Sequence, residues 1–239
     1  MRVGLSIGLL LLLAGVIALL PPSPNQSSSR QKPSTSARAE VRAWLRQTLP
    51  QHDHIRWLAP GLGRWFFNSD DGVHGAELWV SDLTPSGTRL LYDINKGPAS
   101  SHPKHKVEYN GRIYFSADDG IHGVELWVTD GTPNGTSILV DIFAGPESSH
   151  AQGLTSCAGW LYFAAADLAH GYELWVSDGT PDGTLLLQDI TPGPHGSHLT
   201  ETICEGGLLY FTVHERFRWL TDGSRRGTRL ASSHMRTEL

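Results

Sequence analysis

The chain has 239 residues, 39% hydrophobic and 18% charged, with a formal net charge of −5 at pH 7. That suffices for a packed core in one or two domains. The acidic balance excludes the basic stripe that a nucleic-acid partner needs, and also a polybasic run for anionic lipid. With 26 glycines and 14 prolines, the composition fits a turn-rich all-β chain.

Residues 1–20 read as a signal peptide or an uncleaved signal anchor. Arg2 supplies the positive start, Val3 to Leu20 carries no charge, and Pro21-Pro22 stops any helix. The run is just long enough to span a membrane. The first small-x-small cleavage pattern, Ala37-Arg38-Ala39, lies far downstream. Either reading places the rest of the chain outside the cytoplasm, secreted or held at the membrane by this segment. Residues 21–38, rich in Ser, Pro and Gln, have too little apolar surface to fold and read as a disordered linker. Val41, Trp44, Leu45 and Leu49 recur at helical spacing, so 39–50 reads as a short helix that Pro50 ends.

From residue 51 onward one unit recurs, in copies spanning roughly 54–98, 99–146, 147–194 and 195–239. Its signature is GAELWVSDLTPSGT at 75–88, GVELWVTDGTPNGT at 123–136, GYELWVSDGTPDGT at 171–184 and a worn RWLTDGSRRGT at 218–228. Each copy reads as four short strands; in the second these are 106–110, 112–117, 124–129 and 137–142. Asn110-Gly111, Asp119-Gly120 and Asp130-Gly131 supply the turns. Several strands are apolar on both faces, so each sheet needs a neighbour on both sides. The fold class is therefore all-β, a β-propeller of about four four-stranded blades. Four blades can close a ring alone, or form an open array that pairs with a second chain as a dimer of half-rings.

The pattern G-x-E-L-W-x-[ST]-D-G-T-x-x-G-T, followed by a D-I and G-P loop, resembles the ELWxxDGT repeat family of exported bacterial proteins. The resemblance covers roughly residues 63–230; copies two and three match throughout, the first has Leu83 where Gly stands, and the fourth departs most. It implies a propeller-like repeat and an extracytoplasmic location. It implies no activity and carries over no catalytic residue.

Trp79, Trp127, Trp175 and Trp219 lie mid-strand in every copy, where blade-to-blade packing is their expected role. Asp82, Asp130, Asp178 and Asp222 are expected to close Asx-turns, with calcium binding the sharper but less supported use. His54, His102, His150 and His198 recur every 48 residues, just before the first strand of each copy. If that strand is innermost, four imidazoles face one axis and could hold a divalent transition metal; inheritance by duplication explains the spacing equally. His74, His122 and His170 sit in a His-Gly hairpin, expected to bond to backbone, with Glu77, Glu125 and Glu173 as candidate partners. Cys157 and Cys204 occupy nearly matching places in consecutive copies. They are expected either to bridge neighbouring units or to remain buried thiols, their one-residue offset speaking against the bridge.

The sequence holds no G-x-S-x-G, H-E-x-x-H or P-loop motif. The leading expectation is a non-enzymatic module that binds protein or glycan at the cell envelope, with no cofactor established. A metal-binding propeller and a propeller-type hydrolase or lyase are the alternatives.

Overall fold

The computed structural model describes residues 35–49 and 53–231, apart from the side chains of 35–38 and 53–58. The apolar segment 1–20 and most of the expected linker lie outside the described residues. Among the described residues, no helix is long and apolar enough to cross a membrane. Helix α1 spans Thr35–Thr48. It begins four residues ahead of the expected start, so 35–38 belong to the helix and not to the linker. Ala37 and Ala39, residues of the highest helix propensity, continue the helix upstream.

Among the described residues sixteen strands follow in four antiparallel sheets, each a simple meander. Sheet 1 holds β1 (Asp53–Gly61), β2 (Arg64–Asp70), β3 (Ala76–Ser81) and β4 (Arg89–Tyr92); sheet 2 holds β5 (Lys104–Tyr109), β6 (Arg112–Asp118), β7 (Val124–Thr129) and β8 (Ser137–Val140). Sheet 3 holds β9 (Gln152–Cys157), β10 (Trp160–Asp167), β11 (Gly171–Ser177) and β12 (Thr184–Gln188). Sheet 4 holds β13 (Leu199–Glu205), β14 (Leu208–Val213), β15 (Phe217–Thr221) and β16 (Arg229–Leu230). The turn between β5 and β6 shows why the local sequence folds this way. Asn110 and Gly111 take φ of 46° and 69°, and Tyr109 pairs with Arg112 across them. A two-residue hairpin needs that left-handed pair, and Asn-Gly supplies it at least cost.

Side chains alternate between the two faces of each strand, so every inner sheet has a backward and a forward face. Ile113, Phe115, Ala117 and Trp127 of sheet 2 pack backward on Phe66, Leu78, Val80 and Leu91 of sheet 1. Tyr114, Leu126 and Val128 pack forward on Leu161, Phe163 and Ala165 of sheet 3, with Trp175 alongside. Leu209, Phe211 and Val213 of sheet 4, with Trp219, close the third junction on Tyr162, Ala164 and Leu174. The first strands β1, β5, β9 and β13 adjoin in series along the inner edge. This is the propeller-like stacking that doubly apolar strands require.

Among the described residues the array is open between its fourth and first sheets. Among the described residues β13 and β1 do not adjoin as their neighbours do, and no core cluster joins those two sheets. The backward face of sheet 1 is covered by α1 instead. Val41 and Leu45 are buried against Phe67, Trp79 and Leu83, with Trp44, Leu49, Trp65 and Leu90 at the margin. The helix thus occupies the place of a preceding blade.

Leu83 records the substitution. In the other copies the matching glycine has a left-handed φ and receives an aromatic ring from the preceding sheet. Phe66 lies by Gly131, Tyr114 by Gly179 and Tyr162 by Gly223. No sheet precedes the first among the described residues. Leu83 keeps the left-handed φ of 67° but fills the space itself, 6% exposed beneath α1. A left-handed leucine costs of order 1 kcal/mol or more, which the burial of its side chain offsets at about 25 cal/mol per Å².

Cys157 and Cys204 form a disulfide between sheets 3 and 4. The offset that the sequence set against the pairing is what permits it. Cys157 pairs with Trp160 and lies on the forward face of sheet 3, the face of Tyr162; Cys204 pairs with Leu209 on the backward face of sheet 4. Matching positions of two repeats point the same way, so facing side chains must differ by an odd number of residues.

Candidate functional site

The chemistry-bearing side chains of the repeat gather along one rim, where the β2–β3, β6–β7 and β10–β11 hairpins meet the loops that enter the next sheet. Glu77, Glu125 and Glu173 start this rim. Each sits one residue before Leu and Trp on the third strand, pointing inward, and none is exposed. A buried carboxylate needs donors, and the entering loop supplies them. Glu77 accepts from the N–H of Ile94 at 3.1 Å, the N–H of Ser101 at 2.9 Å and the Ser101 hydroxyl at 2.5 Å. Glu125 accepts from Ile142 N–H at 3.0 Å and from Ser149 N–H and hydroxyl at 2.8 and 2.6 Å. Glu173 takes Ile190 and Thr191 N–H at 3.2 and 3.0 Å and the Ser197 hydroxyl at 2.6 Å. Burial pushes the Glu77 carboxyl up to about 7 despite these donors, and raises Glu125 and Glu173 for the same reason. In sheet 4 the matching residue is Phe217.

The serines also lace one hairpin to the next. Ser101 O accepts from Asp118 N–H at 3.0 Å, while His102 N–H reaches back to Ala76 O at 3.2 Å. Ser149 O accepts from Ala166 N–H at 2.8 Å and His150 N–H donates to Val124 O at 3.1 Å. Ser197 donates to Tyr172 O at 2.7 Å and accepts from His214 N–H at 3.1 Å. Four successive hairpins are therefore tied edge to edge. These serines are functional residues beyond the sequence expectation, although Ser-His recurs every 48 residues at 101–102, 149–150 and 197–198.

His102, His150 and His198 are exposed, with φ of 47°, 51° and 44°. Their contribution is the backbone turn that aims the serine inward. His198 lies 5.7 Å from the His214 ring of its own sheet, centroid to centroid. The side chain of His54 lies outside the described residues. Among the described residues no three His, Cys, Asp or Glu side chains come together in a group able to hold a metal. Among the described residues the array does not close about an axis, so pseudo-symmetry brings the three described imidazoles to no common point.

The hairpin histidines take a different partner from the glutamates the sequence suggested. His74, His122 and His170 place Nδ1 at 2.8, 2.7 and 2.8 Å from the carboxylates of Asp71, Asp119 and Asp167. Each aspartate lies three residues earlier and also accepts backbone N–H bonds from its tip, so a single carboxylate fixes the turn and the ring. That bond raises the imidazoles above their ordinary value. Burial pushes Asp71 up, but the donors of His74 and Val73 outweigh it and hold the carboxyl at about 2.

At the opposite rim the Asp-Gly-Thr turns are closed by their own residues. Asp82, Asp130 and Asp178 accept from the N–H and hydroxyl of the threonine two residues on, at 2.6–2.9 Å, and Asp222 does so with Ser224. Those hydroxyls, and then the N–H bonds beside them, lower all four carboxyls. Gly87, Gly135, Gly183 and Gly227 are obligatory there, because a Cβ would overlap the aspartate.

One residue breaks the symmetry inside a junction. Lys106 of β5 stands where the later copies have Leu154 and Thr202. Its ammonium donates to Asn68 Oδ1 at 2.6 Å and to Pro103 O at 2.8 Å between sheets 1 and 2, and burial pushes it down to about 7.

No family model matches the chain, and no curated protein matches it. Solved structures are similar in shape only. The computationally designed Ika8 protein aligns at 13% identity and a TM-score of 0.44, over 74% of this chain and 48% of its own. A prolyl endopeptidase aligns at 16% and 0.47, over 70% and 24%. An endo-arabinase from Bacteroides thetaiotaomicron aligns at 13% and 0.31, over 70% and 75%. This chain thus spans less than half the length of the first two. At such identities and scores these likenesses carry no argument about activity.

Proposed function

We propose that this chain is an exported, propeller-like repeat protein of the ELWxxDGT type that holds a protein or glycan partner at the cell envelope and catalyses no reaction of its own. The observation that carries the reading is how the rim uses its polar groups. The glutamates, the serines and the aspartates of the tips are each engaged in holding a loop or a hairpin. A nucleophile or general base must instead face substrate. What the rim offers outward is a rigid set of laced hairpins, and a pre-ordered surface loses little conformational entropy on binding.

Export is supported by the uncharged run at 3–20 and by the Cys157–Cys204 bridge, since such bridges persist in oxidising compartments. The experiment is in-cell crosslinking of the tagged full chain after fractionation. A cross-membrane location and a reproducible partner support the reading. Recovery of the chain in the cytoplasm with reduced cysteines would refute the location, and turnover of an acyl or glycosidic substrate by purified protein would refute the non-enzymatic role.

A further inference from the structure

The laced rim exposes a row of aliphatic side chains that no packing explains. Val73 is 62% exposed, Ile121 67% and Leu168 82%. They cap the first, second and third hairpins in turn, each within three residues of an Asp–His pair that pins its tip. Buried apolar residues in this chain serve the junctions; these three serve none. The backbone bonds through Ser101 and Ser149 tie the hairpins into one row. The row ends at the fourth hairpin, whose tip is His214-Glu215-Arg216.

The fixed charge around the first three tips is mainly negative. The first three hairpins and the loops laced to them carry nine carboxylates, five on the hairpins and four on the loops, against one lysine, Lys96, and three tip imidazoles, each held on its own aspartate. Lys96 itself lies 4.5 Å from the Tyr92 ring centre, folded onto its own loop. Apolar knobs in a polar, mainly acidic surround are the makeup of an interface whose apolar contacts give affinity and whose rim charges choose the partner.

We propose that the Val73–Ile121–Leu168 row is a docking surface for an extended segment of a partner protein that carries basic side chains between aliphatic ones. This rests on the interaction-module reading and adds the surface and the chemistry of what it takes. An acidic glycan or an anionic membrane surface would be repelled by the same carboxylates. The aliphatic tips give no face for a sugar ring to stack upon.

The test uses the full chain and a synthetic peptide of alternating Leu and Lys, with a Leu–Glu peptide of equal length as control, followed by fluorescence anisotropy. The variant is Val73→Ser with Ile121→Ser and Leu168→Ser, all at exposed tips, and its thermal unfolding should match that of the parent. The expected result is saturable binding of the Leu–Lys peptide, weakened at least about tenfold in the variant and weakened in the parent by added salt. The Leu–Glu peptide should not bind. Equal affinity of parent and variant, or equal binding of both peptides, overturns the proposal. So does binding to phosphatidylcholine vesicles that the variant loses, since the tips would then serve a lipid surface. The parent reading fails separately: a crosslinked partner that survives in the triple variant sinks this surface alone, whereas no partner for either form sinks the module.

Discussion

Removing the Cys157–Cys204 bridge should loosen sheet 4 before anything else. The crosslink joins residues separated by 47 positions. In the chain-entropy treatment a loop of that size removes about 4 kcal/mol of denatured-state freedom at 25 °C. Sheet 4 has one packed neighbour among the described residues, across the junction built by Leu209, Phe211 and Val213. The lost stabilisation should therefore fall on that terminal unit, as in a one-dimensional array. A slope of about 2–3 kcal/mol per molar urea converts the loss to a midpoint lower by roughly 1.3–2 M for the sheet 4 transition. The assay is urea unfolding of the Cys157→Ala, Cys204→Ala protein, with hydrogen exchange in parallel. Amides of β14 should lose protection by about a thousandfold, at about 1.4 kcal/mol per tenfold, and those of β6 by much less. Equal loss of protection in β6 and β14, or a urea midpoint unchanged from the parent, would refute the reasoning.

Other measurements bear on the rim and the cap. Stability should fall as pH rises from about 5 to 8. Glu77 has a folded value of about 7 against 4.5, so its penalty is absent below about 4.5 and complete above 7, about 3.5 kcal/mol at about 1.4 per unit. The raised imidazoles of His74, His122 and His170 act in the same direction, their stabilisation being lost as pH rises through their folded values. Glu77→Gln should flatten the decline in thermal melts; an unchanged slope would exonerate Glu77. Below about pH 4 the trend reverses, because Asp71 and Asp119 are held low and their contribution is lost on protonation. Gly179→Ala should cost about 2 kcal/mol or more, as φ is +95° and the new Cβ would lie 2.5 Å from the Tyr114 hydroxyl; a neutral melt would contradict that geometry. Val41→Asp with Leu45→Asp should release α1 and expose Phe67 and Trp79. Tryptophan emission should then shift red and the protein self-associate in light scattering; unaltered emission and particle size would show that α1 is no cap.

Much of the fold was written locally. A Trp recurring at spacings of 48, 48 and 44 residues, Asn-Gly and Asp-Gly at the turns and strands apolar on both faces dictated stacked four-stranded sheets. The Asp82, Asp130, Asp178 and Asp222 turns are equally local, each closed by a residue two positions on. What escaped the sequence involves partners far apart along the chain. The Glu77–Ser101 contact spans 24 residues, and only the loop's path between two sheets makes Ser101, rather than His102, the inward residue. The hairpin imidazoles went to Asp71, Asp119 and Asp167 because the glutamates were already committed to the entering loop.

The sequence by itself determined the repeat, its strands and its turn residues, since these depend on hydrogen bonds and side-chain alternation within a few positions. Tertiary structure alone decided which faces meet. It set α1 over sheet 1 where a closed ring would place sheet 4, made Leu83 a filler, and brought Cys157 and Cys204 onto opposed faces. The physical reason is that stacking order is a competition for one apolar face. The winner depends on every element that can reach that face, which no window of sequence contains.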